Sequence, residues 1–225
     1  MTKFREIVES IIKEMAYPSN FDLRYFSTIP TFKDRVAYCK ERLPLLGNGS
    51  SRIKFKVDDK KVLKIAKNAK GIAQNEKEED WGRNQYGCFA EIYEADTDNH
   101  TWIEMELARK ATNQDFIKHF GITTNELKDI LHYIYFQYNN RSNYWFNEEE
   151  KTKLDHFFNE NIYNGQNEEL YNLYHYMLDY QPDRASISDW GAKSNWGVVN
   201  RNGEEWLVII DDGFDEEVSS KYYRR

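Results

Sequence analysis

The chain has 225 residues, of which 40% are hydrophobic and 31% are charged, and its formal net charge is −7. This composition is typical of a folded globular protein, and it excludes a chain that is disordered over most of its length. The acidic balance argues against a protein that coats nucleic acid or binds anionic membranes, because both kinds of binding depend on a basic surface.

The cysteine content and the N-terminal segment indicate where the protein works. Cys39 and Cys88 are the only cysteines, and their spacing fits neither a disulfide framework nor a zinc site. The start of the chain mixes charged with apolar side chains, unlike a signal peptide, and no later run approaches the ~20 apolar residues that a membrane helix needs. We therefore expect a cytoplasmic protein, in a bacterial or host cell, with neither a nucleic-acid nor a membrane partner.

The beginning of the chain is predicted to be helical. Apolar residues at helical spacing predict a first helix, which the segment Pro18-Ser19-Asn20 ends. A second helix is predicted from Thr31 to Leu43, where Pro44 stops it. Residues 1–43 would thus form a helical N-terminal extension. The apolar residues of the first helix are Phe4, Ile7, Val8, Ile11, Ile12 and Met15.

From Leu46 onward the pattern becomes that of a β-hairpin. Apolar and basic residues alternate over residues 53–57, a turn follows at Asp58-Asp59, and residues 61–66 form the returning strand. The alternation indicates a strand with two chemically different faces.

A glycine-containing loop precedes this hairpin. Gly47 and Gly49 allow the backbone to come close to a ligand, and the amides of Ser50 and Ser51 can point at phosphate oxygens. A pair of glycines is weak evidence by itself, since most such pairs are ordinary turns.

The returning strand contains a lysine with apolar neighbours on both sides. Period two places Lys64 on the same face as Val62 and Ala66. One interpretation is an edge-strand lysine whose stem packs while its amine reaches water. The other is an ion pair with residues 71–82, which are predicted to form a helix. The acidic residues of that helix are Glu76, Glu78 and Glu79. The alternative is that they lie on a solvent-exposed face of the helix.

Two further strands and then a mainly helical part follow. The strands are predicted over residues 89–95 and 101–107, and the acidic turn between them lacks the glycine of a calcium loop. Beyond Ala108, hydrophobic residues recur at helical spacing. The predicted helices cover residues 112–119, 124–139, 148–159 and 168–180.

The segment from Ser188 to Phe214 reads as a loop, a strand, a tight turn and a second strand. Asp189 and Asn195 precede the first strand, and Asp211 follows the second. Acidic and amide side chains at neighbouring strand ends indicate a magnesium site, because magnesium takes few protein carboxylates when substrate phosphates supply other ligands. A plain hairpin with acidic ends is the alternative.

In chain order these features resemble those of the protein kinases. LGNGSS is similar to a glycine-rich phosphate loop, VLK ending at Lys64 to the strand lysine, and the helix with Glu78 to its ion-pair partner. WIEMELA resembles the strand that leads into the hinge, Asp189 with Asn195 the catalytic loop, and Asp211-Asp212-Gly213 the Asp-Phe-Gly metal motif. The segments SNWGV and IIDDGF are similar to those of small kinase-like proteins of bacteria and phages.

The resemblance implies an α+β protein-kinase-like fold with two lobes. Residues 44–107 would form a small antiparallel-sheet N-lobe, and residues 108–225 a minimal, mainly helical C-lobe with the catalytic and metal loops. The C-lobe would be truncated after Phe214, without the activation segment and the peptide-docking platform of protein kinases.

The resemblance also implies ATP and Mg²⁺ as cofactors, and it assigns roles to single residues. Lys64, held by Glu78, would bind the α- and β-phosphates, and Asp189 would orient or deprotonate the acceptor hydroxyl. Asn195 and Asp211 would hold the magnesium ion. The remaining nucleotide contacts would come from Gly47, Gly49, Ser50 and Ser51 at the phosphates and from Glu104, Met105 and Glu106 at the adenine.

Departures from the kinase pattern leave alternatives open. The third loop glycine is absent, with Arg52 near its place, and no His-Arg precedes Asp189. Asn195 lies one residue farther from Asp189 than in the pattern. Asp183 is therefore a rival for the role beside the acceptor.

Two classes of function are consistent with these residues. One is an active phosphotransferase that moves the γ-phosphoryl group of ATP to an unidentified hydroxyl acceptor, a protein or a small molecule. The other is a nucleotide-binding or inert pseudokinase that serves as a protein-interaction module, for example in a phage assembly. Transfer of AMP on the same fold is a third variant. Lys64, Asn195 and Asp211 favour the first class, and the truncated C-lobe favours the second.

Overall fold

The computed structural model of the protein describes residues 17–82, 87–139, 146–164 and 167–223. The predicted first helix, over residues 4–15, lies outside these ranges. The helices are α1 (Leu23–Thr28), α2 (Phe32–Lys40), α3 (Ala69–Gly82), α4 (Asn113–Phe120), α5 (Thr124–Tyr138), α6 (Glu148–Phe158), α7 (Glu168–Tyr180), α8 (Arg184–Trp190) and α9 (Glu216–Tyr222).

The strands pair in antiparallel fashion in two sheets, so the predicted α+β class is confirmed. A π-helical turn (Asn159–Tyr163) continues α6, and a 3₁₀ turn (Lys193–Asn195) precedes the seventh strand. The strands are β1 (Leu45–Asn48), β2 (Arg52–Lys56), β3 (Lys61–Ala66), β4 (Ile92–Ala95), β5 (Trp102–Glu106), β6 (Arg109–Lys110), β7 (Trp196–Arg201) and β8 (Glu204–Ile209).

The first sheet has the strand order β1-β2-β3-β5-β4, and the predicted hairpin β2–β3 forms its centre. Lys54 lies opposite Lys64, and Phe55 lies opposite Leu63. Because side chains alternate along a strand, the two lysines share one face, called here the basic face, and the apolar pair shares the other. β3 is an inner strand, so the interpretation of Lys64 as an edge-strand residue is wrong.

Helices α1 and α2 cover the apolar face of this sheet. The helix predicted over residues 31–43 is α2, which Thr31 caps and which ends earlier, at Lys40. Phe26 packs edge-on against Trp102 of the sheet, with ring centroids 5.5 Å apart. The buried residues of this cluster are Phe21, Leu23, Phe26, Cys39, Leu43, Ile53, Phe55, Val57, Leu63, Ile65 and Trp102.

The second sheet, β6-β7-β8, shares the largest apolar cluster with residues of α4 to α8. Trp196 at the start of β7 is buried, and its indole nitrogen donates a hydrogen bond to the backbone oxygen of Trp190 at 2.6 Å. β7 and β8 join through Asn202 and Gly203, with φ angles of 56° and 91°. These left-handed conformations are those of a type I′ hairpin turn, which confirms the turn predicted there.

The segment before β7 differs from its predicted form. The sequence pattern predicts a loop over residues 188–195, but α8 extends to Trp190, so Asp189 is helical. Asp183 caps the start of this helix, and the side chains of Ile187 and Trp190 are buried in the main core. Burial of these apolar residues explains why a helix forms where the polar and glycine residues favour a loop.

The segment just before β4 pairs with the end of β8. The predicted strand over residues 89–95 begins only at Ile92 as β4, and Phe89 instead bridges Ile209 of β8 in parallel. Neither β6 nor α9 is predicted by the sequence pattern.

The division into segments 1–43, 44–107 and 108–225 stays a prediction. None of the helices in the described ranges combines the length and the apolar character that crossing a bilayer requires.

Candidate functional site

Lys64 lies in a buried ion-pair network between the first sheet and α3. Its ammonium donates to Glu78 Oε2 at 2.6 Å and to the backbone oxygen of Ile210 at 2.9 Å. Lys64 and Glu78 are both almost fully buried. The ion pair predicted between the strand and the helix is therefore present, and a solvated position for Glu78 is wrong. Burial lowers the pKa of Lys64 to about 8, and the charge of Glu78 opposes this change.

A second cation, Arg52, contacts the same carboxylate although no role is predicted for it. Arg52 Nη1 donates to Glu78 Oε1 at 2.6 Å, and Nη2 donates to Asp211 Oδ1. Burial disfavours the charge of Arg52, but Asp211 and Glu78 outweigh this effect, so the pKa of Arg52 is raised. The strand period is the signal that could have found this residue, because Arg52 lies in phase with Lys54 on the basic face.

Asp211 follows β8 and lies against the basic face of β2. Its Oδ1 accepts a hydrogen bond from Arg52, and its Oδ2 accepts one from Lys54 Nζ at 3.1 Å. Burial would raise the pKa of Asp211, but the charges of Arg52, Lys64 and Lys54 hold it well below its usual value. Both carboxylate oxygens are thus paired with cations that the chain itself supplies.

The two residues after Asp211 pack against α3. Asp212 is buried, and burial together with the charge of Glu78 raises its pKa well above the usual value. Its Oδ2 atom has no hydrogen-bond partner within the described part of the chain. At Gly213 a Cβ atom would lie 2.5 Å from the backbone oxygen of Gln74, so only glycine fits this close approach. The chain is therefore held against α3 directly after Asp211.

Asn195 and Asp189 lie beside Asp211. The amide of Ile210 donates to the backbone oxygen of Asn195 at 2.8 Å, and Asn195 Nδ2 donates to the backbone oxygen of Asp189 at 3.0 Å. Burial, followed by the charge of Asp211, raises the pKa of Asp189 to about 7, whereas a hydrogen bond from the Asn195 side chain lowers it. The structure thus brings the three residues together although α8 replaces the expected loop.

The donor atoms at this site match those that bind magnesium. Asp211 supplies a carboxylate and Asn195 an amide oxygen, and Mg²⁺ takes one or two carboxylates together with phosphates and water. In the described ranges, no group of three or more histidine, cysteine, aspartate or glutamate side chains forms a metal site by itself. The residues present therefore fit magnesium, with the two cations on Asp211 as its competitors.

The predicted phosphate loop is the connection between β1 and β2. Lys67 Nζ donates to the backbone oxygen of Gly49 at 2.8 Å, and Asn68 Nδ2 donates to that of Ser50 at 3.2 Å. The backbone oxygen of Ser51 accepts from the amide of Lys67 at 2.8 Å. Residues just before α3 therefore hold the carbonyl groups of the loop.

Replacing Gly71 in α3 by alanine is expected to destabilise the protein by about 1–3 kcal/mol, the usual cost of overpacking. In an exposed helix this change stabilises by about 1 kcal/mol, but here the added Cβ would lie 2.2 Å from the backbone oxygen of Ser51. The unfolding free energy can be measured by chemical denaturation. Gly47→Ala is the matched control, because nothing lies within 4 Å of the Cβ it adds. A Gly71→Ala variant as stable as wild type would contradict the contact between loop and helix.

The structure separates the three residues predicted to lie by the adenine. Met105 is on the basic face of the first sheet. Glu104 points to the opposite face, where its Oε2 accepts a hydrogen bond from the hydroxyl of Tyr17 at 2.9 Å. Glu106 pairs with Arg201, whose Nη2 lies 2.7 Å from Glu106 Oε2. Of these three side chains, Met105 alone shares the face that carries Lys64.

Asp183, the rival for the role beside the acceptor, caps two helices. Its Oδ1 accepts from the amide of Ser186 at 2.9 Å, and its Oδ2 accepts from the amide of Glu216 at 2.7 Å. Both oxygens thus satisfy backbone donors at the starts of α8 and α9, which indicates a structural role.

Comparison with known proteins adds little to this geometry. No protein family matches the chain, and no curated protein is similar to it in sequence. Among solved structures, the chain is similar to the ternary complex of streptomycin, ATP and APH(2″)-IIa, with 14% sequence identity and a TM-score of 0.34. The match covers 84% of this chain and 73% of that one. A likeness this distant carries no argument, so the function of this chain has to be inferred from its own residues.

Proposed function

We propose that the protein is an ATP- and Mg²⁺-dependent kinase-like phosphotransferase that transfers the γ-phosphoryl group of ATP to a hydroxyl acceptor. The observation that carries the proposal is the buried network in which Lys64, Glu78 and Asp211 meet from a strand, a helix and the end of a hairpin. A buried charge network stabilises a fold little, because desolvation offsets the attraction. Binding of phosphate groups explains its presence better.

The nucleotide would lie on the basic face of the first sheet, towards the β7–β8 hairpin. Lys64 would bind the α- and β-phosphates while Glu78 holds its ammonium in place. The backbone of Gly47, Gly49, Ser50 and Ser51 would cover the phosphates. We assign no nucleotide contact to the side chains of Glu104 and Glu106. Apolar residues of both sheets form a buried cluster beside this face, and the adenine would lie against it. The residues are Val62, Ile103, Met105, Val199 and Val208.

The transfer itself would depend on residues from the last two strands and α8. Asn195 and Asp211 would hold the magnesium ion, which neutralises charge on the phosphates when bound. Asp189 would accept the proton of the acceptor hydroxyl, and a pKa near 7 suits a general base at neutral pH. The acceptor oxygen then bonds to the γ-phosphorus, the bond from that phosphorus to the β–γ bridging oxygen breaks, and ADP leaves.

One observation favours the alternative, a nucleotide-binding or inert interaction module. Arg52 and Lys54 already pair with both oxygens of Asp211, so a magnesium ion has to compete for this carboxylate. A chain that needed no metal would keep such an arrangement permanently. The two functions differ in whether ATP with Mg²⁺ is turned over.

Asp189→Asn is expected to lose turnover while it keeps nucleotide binding. A general base contributes about 10²–10⁴-fold to a rate, so we expect at least about a hundredfold less ADP from this variant. Wild type and the variant should both be stabilised by ATP with Mg²⁺ in a thermal melt, because a ligand that binds the native state raises its apparent stability. ADP formation and the intact mass of the protein are the measurements, and an added mass distinguishes phosphate from AMP.

Asp183→Asn serves as the control, since Asp183 caps helices and should affect stability instead of the rate of the folded protein. If the Asp189→Asn variant forms ADP at the wild-type rate, Asp189 takes no part in the reaction. If wild-type protein shows neither a thermal shift nor ADP formation, the phosphotransferase is refuted and the inert module is favoured.

A further inference from the structure

Two basic side chains of β2 share Asp211, but they are held differently. The side chain of Arg52 is 3% exposed and also pairs with Glu78, whereas that of Lys54 is 34% exposed. Moving Arg52 would leave Glu78 with one cation fewer and would rearrange a buried network. Moving Lys54 would break one partly exposed contact on a flexible four-carbon stem. Lys54 is therefore the cation that can leave Asp211.

The position of Lys54 also indicates where its ammonium goes. Lys54 lies directly opposite Lys64 in the β2–β3 pairing, so both side chains project from the basic face. Lys64 is the residue assigned to the α- and β-phosphates. Phosphates bound by Lys64 would consequently lie on the same face of the sheet as an ammonium that has left Asp211.

We propose that Lys54 is the resident counter-ion of Asp211 and a further phosphate-binding residue of this site. When Asp211 and Asn195 hold a divalent metal ion, the ammonium of Lys54 would leave the carboxylate of Asp211 and pair with the phosphates of the bound nucleotide. Arg52 stays on Oδ1 and acts as a positioning residue for the carboxylate. This inference rests on the proposed function, which assigns the metal to Asp211 and the phosphates to Lys64.

The chain offers a matched control for this role. Lys56 lies two residues after Lys54 on the same strand and the same face, and its side chain is also 34% exposed. Its ammonium pairs with the exposed carboxylate of Asp59 instead of Asp211. Lys54→Met and Lys56→Met therefore remove the same charge from similar surroundings, and they differ in contact with Asp211.

The test measures binding of Mn²⁺ to the full chain without nucleotide, by titration calorimetry or by the electron paramagnetic resonance signal of the free ion. Removing a competing positive charge beside the ligand should make Mn²⁺ bind about tenfold more tightly to Lys54→Met than to wild type. Lys56→Met should bind like wild type, and so should Lys54→Arg, which keeps the charge. Lys54→Met should also bind ATP less tightly relative to adenosine, because one phosphate contact is lost.

The outcomes separate this inference from the proposed function. Mn²⁺ binding that is equal in Lys54→Met and Lys56→Met, or undetectable in both, would overturn the role of Lys54. Tighter binding confined to Lys54→Met would support the competition at Asp211 whether or not the protein turns over ATP. An unchanged preference of Lys54→Met for ATP over adenosine would overturn the phosphate contact.

Discussion

Asp211→Asn is expected to abolish magnesium-dependent nucleotide binding and to lower turnover by at least about a hundredfold, the usual loss when a transition-state charge stabiliser is removed. Asparagine keeps the size of the side chain but removes its charge. Arg52, Lys54 and Lys64 would then face Glu78 with one carboxylate fewer, and this excess of positive charge repels a metal ion. We expect the thermal shift caused by ATP with Mg²⁺ to fall to that caused by ATP alone.

Asp59→Asn is the control for this change, because Asp59 is a fully exposed aspartate that pairs with Lys56. It should leave the Mg²⁺-dependent shift and the rate of ADP formation as in wild type. An Asp211→Asn variant that still gains stability from Mg²⁺ in the presence of ATP would place the metal elsewhere. Asp211→Glu, which keeps the charge and moves the oxygens, separates loss of charge from loss of geometry: it should keep the stability of the fold and still lose turnover.

The largest effect on stability is expected from Glu78→Gln, which should lower the unfolding free energy by about 3–5 kcal/mol, as when one partner of a buried ion pair is removed. The Glu78 side chain is 1% exposed, and each of its oxygens accepts a hydrogen bond from a different buried cation. Arg52 would keep Asp211 as a partner. Lys64 would keep a backbone carbonyl, so its charge would be the one left without a carboxylate.

This explanation predicts a specific rescue. In the double variant Lys64→Met with Glu78→Gln, the uncompensated cation is gone, so the double variant should unfold at higher denaturant concentration than Glu78→Gln alone. It should nevertheless bind no ATP, because the residue assigned to the phosphates is absent. Glu76→Gln is the control on the same helix: Glu76 is exposed, and its replacement should change stability by less than about 0.5 kcal/mol. A double variant less stable than Glu78→Gln would refute the unpaired cation as the cause.

Local patterns in the sequence were sufficient for much of the fold and for part of the site. The alternation in β2 and β3 predicts the central hairpin, and the helical spacing of apolar residues within α7 predicts its bounds at Glu168 and Tyr180. The turn of Asn202 and Gly203 is also recognisable, because its backbone angles favour these residue types. The period of β3 isolates Lys64 as a basic residue within an apolar strand. All of these signals depend on residues that are close in sequence.

Apart from the ion pair of Lys64 with Glu78, which the resemblance implies, the tertiary structure decided which charges meet. Arg52 and Lys54 reach Asp211 across 159 and 157 residues of chain, and no local period predicts a contact of that length. Asp189 lies at the end of α8 and not in the predicted loop. Burial of the neighbouring apolar side chains outweighs the local preference for a loop. The sequence determined the residue types and the faces of the strands. A buried charge is stabilised only by the groups that the whole fold brings to it. The packing of the first sheet against α3 and the end of β8 therefore decided how Arg52 and Lys54 pair with Asp211.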